Sequence, residues 1–523
     1  MKKIILFSFL FLSLSTSLVY SQPQFEWVRN YHMQGKAAAM DSSGNVYIVG
    51  TIGNTTKLLK YNSSGYLIWQ RFDSIRTSGM GICAAADKHG NVYFTAEDFL
   101  FRIATISYDS SGNRNWVRYY YDTLSTARAQ AMAVDNAGNI YVAGYGRITA
   151  RYNYLTIKYN PQGDTLWTAV YYNNYGGSSV NAICTDLQNN VYVTGWSLVS
   201  TPGGDYLTIK YNSNGIQQWL NMYDGPNHLG GDGESITVDK LGNSYVTGSI
   251  QYDINRTIIA TIKYAPNGDS LWTRLFFPPF PHVFEYGNNL LLDSSLNLYV
   301  SGKGSDSTRP GGFLRTIKYD KYGNLVWTTS DTGANIPYSS TLDKYSNIYS
   351  TGATGHRFYN TEYNSFGNKI WSSYYPENNP PFGSWAGFKI LLDNYDNLYI
   401  IGSSLDSSLI IKYGLLTNIN KTSEIIDESY LLFQNYPNPF NPETKIRFNI
   451  PPLNPPLVKV GSGMVTLKIY DVTGKEITTL VNEQLQPGSY EITFDGSNLA
   501  SGIYFYQLTT GEFIQTRKMI LLK

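Results

Sequence analysis

The stretch Gln24–Tyr31, QFEWVRNY, reads as one aromatic β-strand with no earlier strand to pair with. Its Trp27 and Tyr31 stand four residues apart. The same spacing returns in Trp167–Tyr171, Trp219–Tyr223 and Trp371–Tyr375. Those pairs sit in a repeat marked by a turn phrase: DSSGNVYIVG at 41–50, DKHGNVYFTA at 87–96, DNAGNIYVAG at 135–144 and DLQNNVYVTG at 186–195. DKLGNSYVTG at 239–248, DSSLNLYVSG at 293–302, DKYSNIYSTG at 343–352 and DNYDNLYIIG at 393–402 complete eight copies. Their leading aspartates are 46, 48, 51, 53, 54, 50 and 50 residues apart. A second phrase follows each copy, for example YLTIKYNSNGIQQW at 206–219. Its Tyr recurs eight times, as Tyr61, Tyr108, Tyr159, Tyr211, Tyr264, Tyr319, Tyr363 and Tyr413. Its Trp recurs seven times, as Trp69, Trp116, Trp167, Trp219, Trp272, Trp327 and Trp371. The eighth repeat stops at LIIKYG, 409–414, and Trp27 supplies the missing member.

Each repeat reads as four strands. A short apolar strand such as NAICTD leads into an Asp-x-x-Gly-Asn turn, where the carboxylate caps the turn and Gly or Asn accepts positive φ. The strands NVYVTG and YLTIKY carry apolar residues on both faces, so both faces must be covered. A covered four-stranded sheet repeated at this period is a propeller blade. The sequence therefore predicts an all-β chain with an eight-bladed β-propeller over 22–414. Trp27 and Tyr31 of the N-terminal strand complete the last blade, removing open sheet edges. These repeats resemble the SBBP-type β-propeller repeats of secreted bacterial proteins. That resemblance implies a fold, and propellers host many functions.

Charged residues are 15% of the chain, below the roughly 25% usual for soluble domains. Aromatics are also 15%, with 45 Tyr and 47 Gly, which suits strands joined by tight turns. A net charge of +1 without long runs of one sign argues against nucleic-acid partners. Residues 1–21 read as a secretory signal. Lys2 and Lys3 precede an apolar run, and Val19 and Ser21 fit the −3 and −1 cleavage positions. No later run of 18 apolar residues predicts an integral membrane segment in the mature protein. Cys83 and Cys184 are expected as two small buried side chains rather than a disulfide.

Residues 415–430 read as a linker. The block 431–523 predicts a small Ig-like antiparallel β-sandwich, with strands near 444–450, 464–470, 475–480, 488–494, 502–508 and 513–522. Four passages stand out. They are Tyr436-Pro437-Asn438-Pro439-Phe440, LKIYDVTGKEI at 467–477 with Gly474, LASGIYFYQL at 499–508 with Gly502 and Tyr504, and KMILLK from Lys518. They resemble the type A C-terminal sorting domain of the type IX secretion system. The resemblance implies two partners, the Sec translocon and the type IX machinery. It also implies a route through the periplasm and outer membrane of a Gram-negative bacterium, ending secreted or at the cell surface. The Pro-rich PPLNPPLVKVGSG at 451–463 is longer than that pattern and reads as a loop insertion.

Few residues suggest chemistry. His32, His89, His228, His282 and His356 fall at unrelated repeat positions, with no metal-ligand spacing. The loop YDGPNHLGGDGES, 223–235, gathers Asp224, Asp232 and Glu234 as candidate calcium ligands. It lacks the ordered spacing of a calcium loop, and an inter-blade loop is the favoured reading. Lys60, Lys158, Lys210, Lys263, Lys318 and Lys412 share one repeat position, with Ser107 and Glu362 in the other two copies. They form either an anion-binding ring or, as favoured here, stems lying along aromatic rings. The eight-bladed quinoprotein dehydrogenases share a Gly-x-x-x-Trp, but this chain has no adjacent Cys pair and no cofactor is expected. Two functions remain. The first is a non-catalytic scaffold binding an extracellular glycan or protein through its loop face. The second is a secreted hydrolase or lyase with an acidic site at the channel mouth. Glycosidase work needs carboxylates about 5–10 Å apart. The regular repeats and the lack of a catalytic constellation favour binding.

Overall fold

The computed structural model describes residues 23–120, 126–148, 151–173, 175–198, 203–278, 283–306, 309–333, 336–354, 357–375, 386–394, 396–404, 407–414, 419–423, 430–451, 464–484, 488–497, 499–511 and 513–523. The signal at 1–21, most of the linker, the Pro-rich connection, His282 and His356 lie outside the described residues. The chain divides into two compact units, Phe25–Gly414 and one holding Leu415–Lys523.

The first unit has a β-propeller fold. Its described strands form successive four-stranded antiparallel sheets: Gln34–Arg76, Ala84–Tyr120, Ala127–Tyr171, Ser178–Tyr223, Gly231–Phe276, Val283–Asp331 and Ile336–Tyr375. A last sheet takes Ala386–Leu392, Leu398–Ser403 and Ser408–Gly414, with Gln24–Tyr31 hydrogen-bonded outside Ser408–Gly414. The fifth and sixth sheets also touch edge to edge, through parallel pairing of Arg256 with Val283 and Thr257 with Phe284.

The turn phrase folds the same way in every copy. In Asp135, Oδ1 accepts from the backbone N–H of Ala137 and Asn139, while Oδ2 accepts from the Asn139 amide and the Tyr141 hydroxyl. Gly138 sits at φ +82° in this turn. Where the glycine is missing, Asn189, Leu296, Ser346 and Asp396 still adopt φ of 61–66°. The carboxylate network therefore imposes a left-handed residue even where the side chain disfavours it.

A second device ties four of the sheets to the next. The Trp69 Nε1–H and the Lys60 ammonium both donate to the Ser110 carbonyl of the next sheet, each at 3.0 Å. Lys158 with Trp167 does the same to Ser213, Lys210 with Trp219 to Pro266, and Lys318 with Trp327 to Ser365. The lysine ammonium groups lie over tyrosine rings, as that of Lys60 does over Tyr47 at 5.1 Å. Lys60, Lys158, Lys210 and Lys318 are thus inter-sheet ties, while Lys412 pairs with Glu26 of its own sheet at 2.9 Å. Trp69, Trp116, Trp167, Trp219, Trp272 and Trp327 also each cover a turn glycine of the following sheet. A Cβ on Gly112 would stand 2.9 Å from Trp69, and one on Gly215 2.6 Å from Trp167.

Trp27 obeys the same rule, 2.8 Å from a Cβ placed on Gly65 of the first sheet. The Arg29 Nε–H donates to the Gly65 carbonyl at 2.6 Å, as Arg71 does to Gly112. Trp27 and Tyr31 pack against a buried cluster drawn from the first and last sheets, including Val46, Tyr61, Tyr399 and Ile410. Cys83 and Cys184 are free thiols, with burial raising the proton affinity of both.

In the second unit the strands Glu443–Ile450, Met464–Tyr470, Glu476–Gln484, Gly488–Asp495, Gly502–Thr510 and Phe513–Leu521 form two sheets around Ile446, Phe448, Leu467, Ile492, Tyr506 and Leu521. One finding departs from the linker reading. Residues Ile419–Ser423 pair antiparallel with Gly488–Asp495 as an added edge strand.

Candidate functional site

The first strand of nearly every sheet carries one extra residue. The bulges fall at Lys36, Gln130, Asn181, Glu234, Asn288, Tyr338 and Phe388. A bulge re-aims side chains locally and is common beside binding sites. In the fifth sheet it leaves Asp232 and Glu234 in contact, hydrogen-bonded carboxyl to carboxyl. The bulge residue of the fourth sheet, Asn181, donates to Asp232 Oδ1 at 2.8 Å and to the Gly233 carbonyl at 3.2 Å. Burial, then the neighbouring acid, raises the Asp232 carboxyl well above the usual carboxylate range. Burial raises Glu234 as well.

Asp232 opens into a cavity of about 700 Å³ lined also by Trp196, Leu229, Gln251, Asp253, Ile254 and Tyr286. The lining has one origin in the repeat. Ser179 faces Trp196, Asp232 faces Ser249, and Tyr286 faces Lys303 in strand register, so three neighbouring sheets contribute the same row. Two glycine pairs shape the wall. The Gly231 N–H donates to the Gly204 carbonyl at 2.5 Å, and a Cβ on Gly230 would lie 2.6 Å from that oxygen. The Trp196 ring lies against Gly204, 3.0 Å from where a Cβ would stand. Asp253 is engaged by Arg256 at 2.5 Å and does not face the cavity as a free anion.

The three acidic residues expected as calcium candidates do not act together. Asp224 is paired with His228 on the connecting loop, while Asp232 and Glu234 pair with each other. Among the described residues no group of three His, Cys, Asp or Glu is arranged to hold a metal ion. Asn181, Trp196, Gln251 and Tyr286 were not legible as site residues. The positions of Trp196 and Tyr286 vary from copy to copy, with Thr51, Tyr145, Ser249 and Lys303 standing where Trp196 does and Gln34, Arg128 and Asp232 where Tyr286 does, so the repeat carries no signal there.

The tail presents a different kind of site. Phe440 is buried against Phe494, its N–H donating to the Ile520 carbonyl at 2.9 Å. Asn438 Oδ1 accepts from the Ile520 N–H at 2.9 Å, and the Tyr504 hydroxyl donates to the Ala500 carbonyl at 2.8 Å. Gly474 takes φ +82° in the Asp471 turn. Tyr436 is 80% exposed, and Gly502 and Lys518 bound the final hairpin, where Gly502 pairs with Leu521 and Phe505 with Lys518. The Pro437-Asn438-Pro439-Phe440 passage thus pins the last strand while leaving Tyr436 outward.

Residues 434–522 match the family model described as the secretion system C-terminal sorting domain. This tail belongs to the type IX route and supports export of the chain to the cell surface or medium. No curated protein is significantly similar to the chain. Among solved structures, the BP39L lectin from Burkholderia pseudomallei is 13% identical, covering 65% of this chain and 99% of its own, with a TM-score of 0.44. The WD40 domain of SCAP from fission yeast is 10% identical, covering 74% of this chain and 98% of its own, with a TM-score of 0.43. A protein from Lactobacillus plantarum is 13% identical over 68% of this chain and 96% of its own, with a TM-score of 0.44. Among the described residues no helix is long and apolar enough to cross a membrane.

Proposed function

We propose that the chain is an exported scaffold that binds glycan through its loop face. It is an eight-bladed propeller of SBBP-type repeats over 22–414, closed by Trp27 and Tyr31 of its opening strand. A signal at 1–21 precedes it. A linker within 415–430 and a sorting domain at 431–523 follow, with Tyr436–Phe440, Gly474, Gly502, Tyr504 and Lys518 carrying the address. The Sec translocon and type IX machinery are its export partners.

The observation behind the glycan reading is the cavity that places Trp196 and Tyr286 beside Asp232 and Gln251. Aromatic rings offer a sugar its flat apolar contact, and a few convergent polar groups fix its hydroxyls. The enzyme alternative is weaker at this site. Asp232 and Glu234 are hydrogen-bonded to each other. Glycosidases hold their two carboxyls about 5–10 Å apart. A glycan and protein array probed with the secreted protein tests the reading. Binding to carbohydrate spots that falls at least about tenfold in Trp196→Ala is expected for a stacking contact. Binding confined to protein spots, or unaffected by Trp196→Ala, would count against it.

A further inference from the structure

The cavity combines two aromatic side chains, Trp196 and Tyr286, with Asp232, whose carboxyl no cation meets. None of its described lining residues is a lysine, arginine or histidine. Three other buried acids of the unit are matched by a cation. Glu97 holds Arg128 at 2.5 Å, Glu285 holds Arg315 at 2.7 Å, and Asp331 holds Lys369 at 2.9 Å. At Asp232 the partners are the neutral Asn181 amide and a second acid, Glu234. Lys303 faces Tyr286 in register but does not line the cavity. Asp253 is closed off by Arg256, and Asp224 by His228. Buried carboxylates are normally matched by a positive group, and aromatic faces attract ammonium ions.

We propose that the missing cation belongs to the ligand, and that the cavity takes an amino-sugar unit bearing a free ammonium group. The ammonium sits at Asp232, with the sugar face against Trp196 or Tyr286. This rests on the glycan reading and narrows it.

The test is calorimetric titration of the full secreted protein at pH 6, where the sugar amines are charged. Three probes of equal length are used: a glucosamine oligomer, its N-acetylated counterpart and an oligogalacturonate. The glucosamine oligomer is expected to bind at least about tenfold tighter than the other two. Asp232→Asn should remove that preference. Equal or tighter binding of the N-acetylated or acidic oligomer overturns the ammonium assignment and leaves the glycan reading standing. So does a preference that survives Asp232→Asn. Binding of none of the three by the parent protein, with an array free of carbohydrate hits, overturns both.

Discussion

Glu362 stands where six repeats carry a lysine. The reason is visible in the next sheet. Lys60, Lys158, Lys210 and Lys318 each donate to a carbonyl in the turn joining the third and fourth strands of the following sheet. In the last sheet those strands are Ser408–Gly414 and Gln24–Tyr31, which no such turn joins. Glu362 instead lies buried with Oε1 accepting from the Tyr349 hydroxyl at 2.9 Å. Burial, with Asp343 adding to it, raises its carboxyl to about 8. A carboxyl raised on folding contributes stability below its unfolded value near 4.5, and that contribution is lost as pH rises towards 8. Glu362→Gln keeps the neutral shape. Its stability relative to the parent should therefore rise between about pH 4.5 and 8 in denaturant titrations. Parallel curves for the two proteins would show that Glu362 is not held protonated. At this scale the sequence is legible wherever chemistry repeats, as at Asp135 and Gly138. It is opaque at Leu296, whose positive φ comes from the Asp293 network rather than from its own preference.

Strands are legible for the same reason. The Trp and Tyr spacing of Gln24–Tyr31 places it in the last sheet because the latch it makes with Gly65 is copied at Gly112, Gly163 and Gly215. The bulges at Asn181 and Glu234 carry no shared residue type, so the sequence hides them and the cavity they shape. Ile419–Ser423 escaped notice because five residues without alternation give no strand period. The latch leads to a stability contrast. Trp27→Ala removes a ring wedged between the first and last sheets, and truncating a packed Trp costs about 3–5 kcal/mol. Trp196→Ala opens a cavity wall already facing space and should cost about 1 kcal/mol or less. Thermal unfolding of residues 22–414 should show Trp27→Ala melting well below Trp196→Ala. A Trp27→Ala protein within about 2 °C of the parent, with Trp196→Ala lower, would detach the opening strand from the ring.

As a whole, the molecule is two compact units. The sorting unit has its own core of Ile446, Phe448, Leu467 and Tyr506, so the propeller should fold without it. Deleting 431–523 in a host with type IX machinery should leave folded protein in the periplasm and none at the surface or in the medium. Full export of that variant would separate this tail from delivery. Gln24–Tyr31 is the outer strand of the last sheet and, on the proposed reading, closes the ring. Native-state hydrogen exchange on the full secreted protein tests this most directly. Amides of Phe25–Tyr31 should be as protected as those of Ser408–Gly414, and both should open together as denaturant is added. Rapid exchange of Phe25–Tyr31 while Ser408–Gly414 stays protected would contradict closure.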